Sequence, residues 1–354
     1  MRDKSLQFLK DLIFAPSPSG YEQPAQEVVR RYAADFADDI RTDVHGNVMA
    51  IRNADAPVRV MLAGHCDQIG LMVQHIADSG MLHIAAIGGW DPKVLIGQRV
   101  LVHAAEGALP GVIGRKPIHL MPAEARASEK LEVEELWVDI GAKDQAAAEK
   151  LVAIGDCITV EPHFTALQQD LVTAPGLDDK VGVYVVMEAL RLVPKSKLNC
   201  AVYAVSTVQE EVGLRGAHTS AYGINPHAGI AVDVTHATDY PGVDPKRTGK
   251  VELRKGPSVA RGANINPPLR ALIVQAAQER KIPYQNDPAP RGTGTDANAI
   301  QISRAGVAAG LISIPNRYMH SPVEIVSLED LDNAAKLLAQ TLTYIDESTD
   351  FTPR

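Results

Sequence analysis

Apolar positions along the chain fall into two periods, and the switches between them mark out its organisation. Residues 3–14 carry the spacing of a short amphipathic helix, stopped by Pro16-Ser17-Pro18-Ser19-Gly20. Ser19 and Glu22 stand in capping-box spacing ahead of a second helix expected to run to about Asp38. Val44 to Val48 reads as a strand pair turning at Gly46-Asn47, and the apolar run Val58 to Ala63 reads as a buried strand that gives out at Gly64-His65-Cys66-Asp67. From 68 to 165 short alternating segments broken by Gly and Pro replace that rhythm, with one helical patch near 143–153. Strand-rich patterning between α/β segments predicts a small inserted β domain, 68–165, within a main domain built from 1–67 and 166–354.

After 176 the βα alternation returns. The pattern predicts a helix over 179–193, a strand over 198–205, a short helix over 215–223 and a strand over 228–232 that stops at Asp233. Residues 237–265 read as loop with a strand or two, and 267–280 as a helix. A last strand, Leu311 to Ile314, is expected to end at Pro315, and a closing helix to run from the cap Ser327, with Asp330 three residues on, to about Ile345.

Composition sharpens this picture. The 354 residues exceed the ~250–300 at which single cores stop growing, in keeping with two domains. Aromatics are only 5% against 45% apolar residues, so the core is built from Val, Ile, Leu and Ala, as in α/β proteins with parallel strands. A formal charge of −8, with no basic run or Arg/aromatic stripe, argues against nucleic acid as partner. No window approaches ~20 apolar residues, so no membrane span is expected. The N-terminus interleaves charge with apolar residues and reads as a helix rather than a signal peptide. Cys66, Cys157 and Cys200 form no C-x-x-C pair, which suits a reducing cytoplasm.

The candidate chemistry lies at the strand ends. Five successive segments lead to His65 and Asp67, Asp178 and Asp179, Glu210 and Glu211, Asp233, and His320. Each has an ordinary reading alone: Asp178-Asp179 as a helix N-cap, Asp233 as a turn former, Glu210-Glu211 as a solvated turn. In an open α/β sheet, however, sites assemble at the carboxyl ends of the strands, where these residues would be gathered. Two His with several carboxylates suit Zn, Co or Mn. The number of carboxylates is too large for one divalent ion. Two ions sharing one bridging carboxylate and one water use up the set and leave a glutamate as general base, an arrangement suited to amide hydrolysis.

The stretches Gly64-His65-Cys66-Asp67-Gln68-Ile69-Gly70, Gly176-Leu177-Asp178-Asp179-Lys180, Gln209-Glu210-Glu211-Val212-Gly213, Asp233-Val234-Thr235-His236-Ala237 and Arg317-Tyr318-Met319-His320-Ser321-Pro322 together resemble the tetrahedral (TET) co-catalytic metallo-aminopeptidases, some labelled glutamyl or leucyl aminopeptidase or endoglucanase. The resemblance implies an α/β fold with a central mixed sheet flanked by helices, of the di-zinc exopeptidase kind. It implies two divalent metal ions per subunit, with His65 and Asp233 on one, Glu211 and His320 on the other, and Asp178 bridging. Glu210 would be the general base, Asp67 would hold the His65 ring, and the Asp178–Asp179 peptide would be cis. The inserted β domain would serve dimerisation and assembly of a homo-oligomeric dodecamer acting on short peptides. Cys66 departs from the pattern, which leads one to expect a less reactive residue such as Met there, and raises a question about oxidation.

Arg261, Thr293 and Gly294 resemble parts of the family's substrate pocket. Arg261 could accept an acidic side chain or pair with an internal carboxylate. Two rival readings remain. A glycosidase using Glu210 and Glu211 needs carboxylates facing each other ~5–9.5 Å apart, which adjacent residues at one strand end do not provide. A non-catalytic assembly protein retaining the fold would carry an empty site.

Overall fold

The computed structural model describes residues 1–121 and 130–354; residues 122–129, within the insert, lie outside the described residues. The central sheet joins β1 (Asp39–Thr42), β2 (Val48–Arg52), β3 (Arg59–His65), β12 (Ala201–Thr207), β13 (Ala228–His236), β14 (Ser258–Gly262), β15 (Gln285–Ala289) and β16 (Ala308–Asn316). Their spatial order is β1-β2-β12-β3-β13-β16-β14-β15. The four middle strands, β12, β3, β13 and β16, run parallel, while β2 and β14 pair antiparallel to their flanks. The sheet is therefore mixed, as the resemblance implied.

Strand periodicity divides the core. Val60 and Leu62 of β3 face one hydrophobic layer, Met61 and Ala63 the opposite one. The first layer is closed by α1 (Asp3–Phe14), α2 (Gln23–Ala33), α3 (Leu177–Leu192), α5 (Pro267–Arg280) and α7 (Leu328–Leu342). The second is closed by α4 (Arg215–Ile224) and α6 (Asp296–Gln301). With both faces covered, the middle strands read as continuous apolar runs. Helix α3 is buried from Leu177 to Leu190 and is the innermost helix.

Between His65 and Thr165 the chain leaves the sheet. Strands β4 (Gly70–Ile76), β5 (Leu82–Ile87), β6 (Arg99–Ala104), β7 (Gly107–Gly114), β8 (Trp137–Asp139) and β9 (Cys157–Val160) close into a barrel in the order β4-β5-β8-β7-β6-β9. Leu71, Val73, Ile84, Val102, Val138 and Ile158 fill it, separately from the other two layers. A small antiparallel sheet, β10 (Thr165–Ala166), β11 (Leu171–Ala174) and β17 (Glu324–Ser327), lies outside both. Among the described residues no helix is long and apolar enough to cross a membrane.

Several local expectations are corrected. The Ser19 hydroxyl does not cap α2; it donates to Asp67 Oδ2 at 2.6 Å, and the N-cap position is Glu22, with no side-chain cap. Helix α2 ends at Ala33, short of Asp38. The patch at 143–153 shrinks to Gln145–Ala148. Strand β13 continues past Asp233 to His236 because β16 pairs with it as far as Asn316, so β16 also runs through Pro315. It is not the last strand, since β17 follows. The Ser327 cap is present, with Oγ accepting Asp330 N–H at 3.2 Å.

Candidate metal centre

The parallel strands bring His65 to the end of β3, Glu210 and Glu211 just beyond β12, Asp233 to the outer half of β13 and His320 beyond β16. Helix α3 delivers Asp178 from below, and the Asp178–Asp179 peptide is cis. Two groups of potential ligand atoms result, His65/Asp178/Asp233 and Asp178/Glu211/His320, each with its atoms within 4.8 Å of one another. Asp178 belongs to both. Its Oδ1 lies 3.3 Å from His65 Nε2 and its Oδ2 3.3 Å from His320 Nε2. Asp233 Oδ1 is 4.0 Å from His65 Nε2, and Glu211 Oε2 is 3.5 Å from His320 Nε2. Glu210 sits beside them without joining either group, its Oε2 3.8 Å from His65 Nε2.

Three buried carboxylates outside these groups hold the backbone in place. Asp67 Oδ1 accepts the Glu210 N–H at 3.0 Å and Oδ2 the Glu211 N–H at 3.2 Å. Asp179 accepts the His65 N–H at 3.2 Å and the Gly182 N–H at 3.0 Å. Glu324 accepts the Asp178 and His320 N–H groups, both at 3.0 Å. Asp67 thus acts mainly on the Glu210-Glu211 turn. The His65 ring meets the Asp67 backbone carbonyl at 3.0 Å through Nδ1, while the Asp67 carboxylate stands 3.5 Å away. Gln209, Tyr318 and His320 adopt left-handed backbone conformations although none is glycine, a pattern that collects at functional loops.

Electrostatics show what the cluster lacks. Burial, reinforced by neighbouring carboxylates, pushes Glu210 up to about 10, Glu211 to about 9 and Asp233 to about 8. Burial and the Asp178 charge lift Glu324 to about 8. Asp178 goes the other way: burial opposes its ionisation, but hydrogen bonds with His320 and His65 outweigh it. Burial would discharge His65, yet the charge of Glu210 and the contacts with Asp178 and Asp67 raise its pKa. Negative charge is in excess, and Glu211 Oε1 is buried with no hydrogen-bond partner. A set of imidazole and carboxylate donors, one oxygen unpartnered and the acids lifted by burial and by one another's charge, fits divalent cations.

Cys66, the departure in the His65 motif, is fully buried, and burial together with the Asp67 charge drives its thiol pKa upward. A buried protonated thiol is inert, which answers the question of oxidation. Thr293 and Gly294 precede α6, where Thr293 is tied to Asn264, Thr295 and Asn298. Arg261 is exposed on β14, which runs antiparallel to β16 from the Ser258–Ser313 pair. Ser313 is also the partner of Asp233, so Arg261, three residues along, is set back from the cluster. Asp179 as an anchor for His65, Glu324 and Asp296 escaped the sequence reading. Asp296 is buried with Oδ2 bound to Thr207 Oγ1 at 2.6 Å and Oδ1 unpartnered. Their only signal in the sequence was a carboxylate close to a named motif.

Sequence and fold are shared with known proteins. A family profile described as M42 glutamyl aminopeptidase matches residues 46–337. A lysyl aminopeptidase of Pyrococcus furiosus is 40% identical over 351 residues, covering 98% of this chain and 99% of that protein. The crystal structure of a TET aminopeptidase from a marine sediment archaeon of the Thaumarchaeota superposes with a TM-score of 0.93 at 34% identity, covering 98% of each chain. The TET1 peptidase of Pyrococcus horikoshii, reported to assemble into a tetrahedron or a large octahedral shell, superposes with a TM-score of 0.84 at 32% identity over 95% of this chain and 98% of that one. With the profile spanning most of the chain and that relative matched end to end, this protein belongs to the M42 glutamyl aminopeptidase family.

Proposed function

We propose that this chain is a two-metal aminopeptidase that removes the N-terminal residue of short peptides. The observation that carries the reading is the pair of ligand groups sharing Asp178. His65 and Asp233 would hold one divalent cation, Glu211 and His320 the other, and Asp178 would bridge them. Zn fits the ligand set, with Co or Mn also compatible. Two such ions would supply Lewis acidity toward the scissile carbonyl and would lower the pKa of a bound water.

The chain's own residues do the rest. Glu210, outside both groups with Oε2 facing His65, takes up the water's proton at its carboxylate and passes it to the leaving amine. Asp67 fixes the Glu210 and Glu211 amides, so base and ligand keep one relative orientation. The glycosidase reading needs two carboxylates facing one another across the substrate, ~5–9.5 Å apart, which adjacent glutamates at one strand end do not naturally provide. The inserted β domain, 68–165, is the assembly element in this proposal, with 1–67 and 166–354 as the catalytic domain. A homo-oligomer such as the particle formed by the Pyrococcus horikoshii relative is the expected state. The setting is cytoplasmic, as the unpaired buried cysteines suggest.

The test joins metal analysis to turnover on a panel of N-terminal Lys, Glu and Leu amides. Chelator should abolish hydrolysis and Zn or Co restore it. Glu210→Gln should keep both metals while kcat falls ~10²–10⁴-fold. A fully active Glu210→Gln protein removes the base assignment, and hydrolysis that survives complete metal removal removes the reading altogether.

A further inference from the structure

Glu324 opens β17, four residues past His320, and is 2% exposed. Its two oxygens are spent on two amides from distant parts of the chain. Oε2 accepts the Asp178 N–H at 3.0 Å, and Oε1 accepts the His320 N–H at 3.0 Å. One rigid planar group therefore spans the shared ligand and one of the terminal ones. We infer that Glu324 is a positioning residue that sets the placement of His320 against Asp178, and so supports the Asp178/Glu211/His320 cation site far more than the His65/Asp178/Asp233 site. The inference rests on the two-cation reading above.

The asymmetry follows from how the remaining ligands are held. His65 closes a buried strand, its N–H tied to Asp179 and its ring to the Asp67 carbonyl. Asp233 lies inside β13, paired on to β16, with its own Oδ1 bound to the Val234 N–H at 2.7 Å. Ladder hydrogen bonds fix both whatever Glu324 does. His320 has no such support. It sits in a loop between β16 and β17, at φ +58°, with its side chain 35% exposed. A non-glycine residue in that conformation persists only where its surroundings impose it, and the Glu324 bond to its amide is one such constraint. Glu211 is secured separately by Asp67.

Reach and charge can be separated by two substitutions. Glu324→Gln keeps the length and one acceptor oxygen, and turns an NH₂ group toward the other amide. Glu324→Asp keeps the carboxylate but withdraws it by about 1.5 Å, out of range of both amides. The experiment titrates zinc into metal-stripped wild type and both variants, in competition with a chromophoric chelator, with circular dichroism of each metal-free protein alongside. Wild type should take up two equivalents. In both variants the first equivalent should bind close to the wild-type affinity and the second ~10–100-fold more weakly. Equal weakening of both equivalents, or of neither, overturns the inference. So does an Asp variant that binds like wild type while the Gln variant does not, since that pattern belongs to charge alone. A wild type that accepts fewer than two equivalents sinks the two-cation reading instead.

Discussion

Gly64 stands at a close approach of β3 to α3, and replacing it by Ala tests the placement of the site. A Cβ on Gly64 would lie 2.6 Å from the Val183 nitrogen and 2.8 Å from the Gly182 oxygen, with the Gly182 carbonyl carbon closer still. All three are backbone atoms, so no rotamer change relieves them. Ordinary Cβ contacts begin near 3.4 Å, and strand and helix would have to part by about 1 Å. Overpacking of this kind costs ~1–3 kcal/mol. The same movement pulls the His65 N–H from Asp179, which adds ~1–3 kcal/mol for a buried carboxylate losing a donor. The expected loss in Gly64→Ala is therefore ~2–6 kcal/mol, read from the denaturant midpoint of metal-stripped protein at constant slope. His65 is the next residue and Asp178 starts the same helix, so their 3.3 Å separation opens as well. A displacement of ~1 Å in reacting groups costs on the order of 10² in rate, and kcat/KM of refilled enzyme should fall by that factor. Stability within about 0.5 kcal/mol of wild type, together with unchanged kcat/KM, would refute the claim that this close approach sets the ligand spacing.

Other substitutions probe separate parts of the argument. Gly223, in α4, has nothing within 4 Å of its would-be Cβ, and Gly223→Ala should stabilise by ~0.5 kcal/mol in the same unfolding assay. Glu188 is buried, which would raise its pKa, but a paired contact with Arg191 and hydrogen bonds from Tyr32 and Ser5 overcome that and hold it below its ordinary 4.5. Glu188→Gln should cost ~3 kcal/mol at pH 7. Because the folded pKa is the lower one, this contribution is complete above the unfolded value and vanishes as pH falls through the folded value. Wild-type and variant midpoints should therefore differ fully above pH 4.5 and converge as pH falls through the lower folded value. Asp67→Asn should lower kcat ~10–100-fold with both metals retained, since the Glu210 and Glu211 amides lose one of their two acceptor oxygens to an NH₂ group.

Helix and strand identity was legible wherever periodicity met a strong stop signal. Asp3–Phe14 and Pro267–Arg280 match their predicted spans, and each is bounded by Pro or an Asn cap. Pairing partners were not legible, and they decided the misses. Asp233 reads as a strand end until β16 is seen to accompany β13 for three more residues. Ser19 reads as a cap until Asp67, 48 residues on, competes for its hydroxyl. The groups facing one another at the site could be named because His and clustered Asp/Glu carry ligand chemistry in their own side chains. Glu324 could not, nor could the anchoring role of Asp179, because both work by accepting backbone amides, and nothing in the spacing of apolar residues records which amide a distant carboxylate will meet.

The barrel leaves the sheet only a few residues past His65 and returns a loop to the same place. Trp90 Nε1 donates to the Gly70 carbonyl at 2.9 Å, and a Cβ on its neighbour Gly89 would lie 3.4 Å from His320 Nδ1. The insert thus meets the His320 ring through the loop after β5, and that loop is tied back to its own stem at Gly70. Any change that shifts this loop presses on the His320 imidazole, so the packing of the barrel and the spacing of the ligands could not drift apart independently as the sequence diverged.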